Sequence, residues 1–235
     1  MLDHLFLDTV GAVRAALDES LLDRAGQDDR LVYDLFTGDL VWETSVSLPG
    51  DGDPPRVNAD LSLDWQTWSQ SAWRSVSAGE PVEDPPEIGI EIVFRVQRLA
   101  RRPALATVLS VLPELSPEFG SDKLARSAPI IEESYEDDES APEVAAEVAY
   151  EGSYRLPAPN PEESEAKEAS LFPGWTGPRL SAGDGLRSSL GPTRQVSAAT
   201  QETLGALGVW VASTLVRLAD LDLEYLPPIE PEGED

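Results

Sequence analysis

Apolar residues recur along the first 21 positions at helical spacing. Leu2, Phe6, Val10, Val13, Leu17 and Leu21 are separated by four, four, three, four and four residues, which is one stripe of an amphipathic helix. Asp3, Asp8, Arg14 and Asp18 fall off that stripe, and Gly26 followed by Gln27-Asp28-Asp29 supplies a stop. The spacing predicts a helix over about 2–25. From Leu31 the period changes to two. Residues 31–36 run into Thr37-Gly38-Asp39, after which Leu40, Trp42, Thr44, Val46 and Leu48 alternate with Val41, Glu43, Ser45 and Ser47, the pattern of a hairpin on a short glycine-containing turn.

Beyond the Gly/Pro loop at 49–55, Val57, Ala59, Leu61, Leu63 and Trp65 share one parity, and Asn58, Asp60, Ser62, Asp64 and Gln66 share the other. A proline-rich loop at 80–86 precedes Ile88, Ile90, Ile92, Phe94 and Val96, which are interleaved with Gly89, Glu91, Val93, Arg95 and Gln97. Such alternation predicts antiparallel strands with one face on a core and one in water, and the short connections predict a meander. Arg101-Arg102-Pro103 opens a helical pattern with Leu105, Val108, Leu109 and Leu112 on one side, ended by Pro113. Residues 114–131 carry no clear period.

Val144, Ala146, Val148 and Tyr150 alternate again within 143–151, a candidate edge strand returning to the sheet. The last helix is predicted over 200–222, capped near Ser197. Its stripe is Leu204, Leu207, Val211, Leu215 and Leu218, and Gly205, Gly208 and Ala212 form a second strip of small residues that lets another backbone approach closely. The expected fold class is therefore α+β: an antiparallel meander of four to five strands with an N-terminal and a C-terminal helix packed on one face. The expected organisation is a helix-plus-sheet core over 1–131, and acidic and Gly/Pro-rich flexible connections over 132–199. The C-terminal helix returns to the core over 200–226, and a disordered acidic tail follows over 227–235.

Charge changes the picture of function. Of 235 residues 44 are Asp or Glu and only 17 are Lys or Arg, a net charge of −27. A phosphate backbone needs a cationic surface, so direct nucleic-acid binding is disfavoured, and an anionic bilayer would repel the chain. The acidity concentrates in two segments, 132–142 and 157–169, which read as solvated linkers containing Pro and Ser. Fifteen of the 17 cations are arginine, the exceptions being Lys123 and Lys167. A GC-rich coding sequence with an acidic partner-facing surface accounts for this, and so does adaptation to high salt. The opening residues lack the basic region of a signal peptide, and the longest apolar run, 204–216, is too short for a membrane span, so a cytoplasmic location is expected.

Chemistry is sparse. The chain has no cysteine and one histidine, His4, which falls in the first turn of the first helix and is expected to face solvent or a packing surface. No phosphate loop, zinc-protease motif or nucleophile elbow occurs. Asp51 and Asp53 lack the spaced ligands and closing Glu of a calcium loop, and adjacent acids such as Glu132-Glu133 and Asp137-Asp138 carry no diagnostic value in so acidic a chain. No catalytic residue, metal ligand or cofactor is assigned. Six tryptophans are the more informative feature: Trp42 and Trp65 share the apolar parity of their strands, whereas Trp68 and Trp73 stand in a polar stretch as lids on the core or as exposed anchors. The expected function is a non-enzymatic interaction or assembly protein, such as an adaptor, a chaperone-like partner or a subunit of a larger complex. Its partner is another protein or a second copy, with Trp68, Trp73, Gly205, Gly208 and Ala212 as the interaction residues. A small-molecule domain using the apolar sheet face and the tryptophans is the alternative, with an acidic nucleic-acid mimic and a metal-dependent hydrolase behind it.

Overall fold

The computed structural model describes residues 4–28, 30–37, 41–48, 54–65, 67–119, 122–134, 143–156 and 198–227. Helix α1 (His4–Gln27) leads into strands β1 (Val32–Thr37), β2 (Val41–Leu48) and β3 (Val57–Asp64). Helix α2 (Thr67–Ser77) separates these from β4 (Glu87–Leu99), and short α3 (Leu105–Leu109) precedes β5 (Ala125–Arg126), β6 (Ile130–Ser134) and β7 (Glu143–Arg155). Helix α4 (Ala198–Ala219) closes the described chain. The fold is α+β. Its antiparallel sheet has the order β1-β2-β3-β4-β7-β5, with β6 also paired to β7.

The four meander strands lie in chain order because each has one apolar face to align; β1, β2 and β3 are joined by short connections, whereas β3 and β4 are joined through α2. Val46 faces Ala59, Ala59 faces Phe94 and Phe94 faces Val148 across the sheet, so the even positions of β2, β4 and β7 and the odd positions of β3 form one continuous apolar surface. A one-residue slip of any strand would turn its whole set to water, which fixes this register. The strand expected at the sheet edge lies inside it. β7 is 13 residues long and hydrogen-bonds β4 on one side and β5 and β6 on the other. The reason is that residues 130–134, the first of them read without period and the rest assigned partly to a solvated linker, pair with β7 as its hairpin partner. Glu132 and Glu133 are accordingly strand residues with exposed side chains.

Helices α1 and α4 cover the apolar face. Val10, Val13, Leu17 and Leu21 of α1 and Leu204, Leu207, Val211, Leu215 and Leu218 of α4 are buried. Each such side chain contributes about 1.5–3 kcal/mol of transfer free energy. The two helices run side by side in the same direction. Ser20 meets Gly208, Arg24 Nη2 donates to Ser213 Oγ at 3.2 Å, and Arg30 lies 3.6 Å from Asp220. Over β4 and β7, Phe94, Tyr150 and Trp210 form a three-ring cluster with centroids 5.1–5.8 Å apart and near-perpendicular planes, the favoured edge-to-face geometry.

The polar stretch holding Trp68 and Trp73 is a helix, which its Ser and Gln content concealed. Ser69 Oγ donates to the Glu87 carbonyl at 2.7 Å and ties α2 to the start of β4. The pattern expected over 103–112 yields only the five residues of α3, with Pro103 before it and Ser110 at its C-cap, although Val108 and Leu112 are buried as its stripe requires.

Candidate interaction surface

The second face of the sheet carries the alternate parity, and no described element lies over it. It is built from Glu43, Ser45 and Ser47 of β2, Asn58, Asp60, Ser62 and Asp64 of β3, Glu87, Glu91, Val93 and Arg95 of β4, and Glu143, Glu147, Glu151 and Arg155 of β7. Carboxylates therefore outnumber guanidiniums on it by a wide margin. A shallow groove of about 360 Å³ crosses its middle, lined by Glu43, Ser45, Asp60, Ser62, Glu91, Val93, Arg95 and Glu147.

Two rows of this face differ electrostatically. In the row Ser47-Asn58-Arg95-Glu147 the central guanidinium is shared. Arg95 Nη2 and Nε donate to Glu147 Oε2 at 2.7 and 3.1 Å, and Nη1 donates to Asp60 Oδ2 at 3.2 Å. Asp60 also accepts from Ser45 Oγ at 2.8 Å and Asn58 Nδ2 at 3.0 Å. Partial burial works against the charge on Arg95, but the Glu147 bond and charge, and then those of Asp60, outweigh it and hold the guanidinium above its ordinary pKa. In the row Glu43-Ser62-Glu91-Glu151 no cation intervenes. Glu91 and Glu151 stand directly opposite each other across β4 and β7, and both are exposed. Like charges in that position destabilise a sheet by a few tenths of a kcal/mol to about 1 kcal/mol. At the end of the face Gly89 allows a further acid to lie flat: a Cβ there would come 2.1 Å from Asp64 Oδ1, so only glycine admits that carboxylate over β4.

The residues expected to make an interface separate. Trp68 projects from α2 with 44% of its surface exposed, while Trp73, one helical turn and a half further, is 2% exposed and belongs to the core. The small-residue strip of α4 lies inside the molecule. A Cβ on Gly208 would fall 1.9 Å from Ser20 Oγ and 3.2 Å from the Leu17 carbonyl oxygen, and Ala212 is buried, so α1 takes the close approach that the strip offers. Gly205 stands at its margin, with Ser20 Cβ 3.9 Å from the same construction. Where α1 lies on β2 and β3 the remaining gap is about 10 Å³, room for about one water and not for a ligand.

Asp51, Asp53, Asp137, Asp138 and Trp175 lie outside the described residues, as do the side chains of His4 and Trp42. Among the described residues no three His, Asp or Glu side chains gather as a metal-holding group, and no helix is long and apolar enough to cross a membrane. The parity of the polar face was legible in the sequence, but the opposition of Glu91 and Glu151 was not, because it depends on pairing two strands about 60 positions apart. Comparison with family models, with curated proteins and with solved structures finds no match to this chain.

Proposed function

We propose that the protein is a non-enzymatic interaction or assembly protein that offers the open acidic face of its sheet to a basic surface of another protein. The observation that carries this reading is the directly opposed, exposed Glu91–Glu151 pair in the middle strands, which has no ion-pair partner among the described residues. Two rows along the same face, Arg95 sits between the acids Asp60 and Glu147. A partner's arginine or lysine seated between Glu91 and Glu151 would repeat that arrangement and remove the repulsion. Trp68 adds an exposed aromatic of the type that anchors interfaces.

Glu151→Lys tests the reading because it separates stability from binding. The substitution replaces a like-charge pair by an opposite-charge pair, so the free protein gains about 0.5–1 kcal/mol. Wild type and variant are captured from the host's cytosol at the host's salt level and compared by native mass spectrometry. The expected result is a stoichiometric basic protein on the wild type and none on the variant, with the variant melting higher. A bare monomer, a small-molecule adduct, a homo-oligomer or a complex that survives the substitution overturns the assignment.

A further inference from the structure

The two edges of the sheet are built differently. On the β7 side the outermost position is divided between β5, two residues long, and β6, five residues long, with Pro129 between them and Glu132 and Glu133 within β6. Short, charged and proline-interrupted edges resist further pairing. On the other side β1 is six continuous residues, Val-Tyr-Asp-Leu-Phe-Thr, with no proline, no cation and a single acid. Among the described residues nothing pairs with its outer edge. Alternate residues of an antiparallel edge strand point both N–H and C=O outward, so β1 presents about three such residues over roughly 20 Å.

We propose that β1 receives an extended, cationic segment of another protein, which adds to the sheet as a further antiparallel or parallel strand. The proposal rests on the reading of the open face and names how its partner enters. Main-chain hydrogen bonds to β1 supply the geometry of strand addition, and alternate side chains of the added strand continue the face. Charge chooses the occupant. Asp34 stands in register with Ser45, which is in register with Asp60, and Phe36 stands in register with Glu43 at the end of the Glu43-Ser62-Glu91-Glu151 row, so β1 carries one acid of its own and has another directly beside it on β2. A second copy carrying −27 is repelled at this edge, whereas lysines at alternate positions of an incoming strand meet the acidic face.

The probe is a fluorescein-labelled, end-capped peptide of five Val-Lys repeats, with a control of equal charge carrying proline at two central valines. Binding is read by anisotropy in 0.1 M KCl, and amide hydrogen exchange is read over 32–37. The expected result is saturable binding, at least tenfold weaker for the proline control, with exchange in β1 slowed at least tenfold by the Val-Lys peptide. Equal binding of the two peptides, or binding without protection of β1, overturns strand addition. Slow exchange in β1 before any peptide is added means that the edge is already covered, and protection that grows with protein concentration alone means that a second copy occupies it; either overturns the proposal. Loss of the cytosolic partner in Glu151→Lys together with failure of the peptide leaves the face reading standing and removes the edge.

Discussion

Single side chains in the helical layer have effects whose sign the contacts decide. Replacing a helical glycine by alanine ordinarily gains up to about 1 kcal/mol. At Gly208 the outcome reverses, because turning the Ser20 hydroxyl aside still leaves Ser20 Cβ at 3.1 Å and the Leu17 carbonyl at 3.2 Å from the new methyl. Gly208→Ala is expected to lower stability by about 1–3 kcal/mol in urea titrations. Ser20→Gly in the same chain should recover part of that loss, as a coupling of about 1 kcal/mol between touching residues. Tyr150 gives a pH-dependent counterpart. Its hydroxyl donates to the Pro113 carbonyl at 2.6 Å, and burial pushes its pKa up to about 12 against the nearby charge and hydrogen bond of Arg126. The unfolded chain loses this proton near pH 10 and the folded chain retains it to about pH 12. The contribution is thus fully present below pH 10 and is lost as pH rises through that interval. Thermal melts at pH 9 to 11.5 should show a declining midpoint whose slope is shallower in Tyr150→Phe, and the variant should be about 1 kcal/mol less stable at neutral pH.

Among the elements, α2 is where pattern reading reached least and where a paired substitution discriminates best. Its residues are mostly Ser, Thr, Gln and Trp, so no apolar stripe announces a helix, yet Ser69, Gln70 and Trp73 are buried along one side. Trp73→Ala should cost about 3–5 kcal/mol by leaving a cavity, whereas Trp68→Ala should change stability by no more than about 0.5 kcal/mol. Equal effects of the two in chemical denaturation would contradict the burial of the one and the exposure of the other. The long elements were readable because burial and period coincide: every residue of the α4 stripe is buried, and burial alternates along β3 and β4 except at the buried polar residues Asn58 and Arg98. What the chain does not spell out is pairing between distant segments. The place of β7 inside the sheet depends on the five residues of β6, and the covering of the Gly-Ala strip depends on the direction of α1 beside α4. Neither leaves a local signature, since alternation tells which face a residue occupies and not which strand lies next to it.

At the scale of the whole molecule the net charge of −27 opposes compaction, and on the acidic face the shared Arg95 pairs with only Asp60 and Glu147. The Debye length falls from about 10 Å at 0.1 M salt to about 3 Å at 1 M, so added KCl screens this repulsion. The urea midpoint should rise between 0.05 and 1 M KCl, with a smaller rise in Glu151→Lys. A further climb through molar KCl is the signature of adaptation to a saline interior, and a plateau assigns the acids to the surface described here. The order of the sheet and its cover also governs how the chain can be made. α1, the first described element, packs on α4, the last, and Trp210 completes the ring cluster that Phe94 and Tyr150 begin. A ribosome that has delivered β1 to β7 holds a finished sheet that still lacks the apolar stripe of α4 and the Trp210 ring, which arrive only with about 60 further residues. Nascent chains stalled before α4 are therefore the form that trigger-type chaperones should occupy longest.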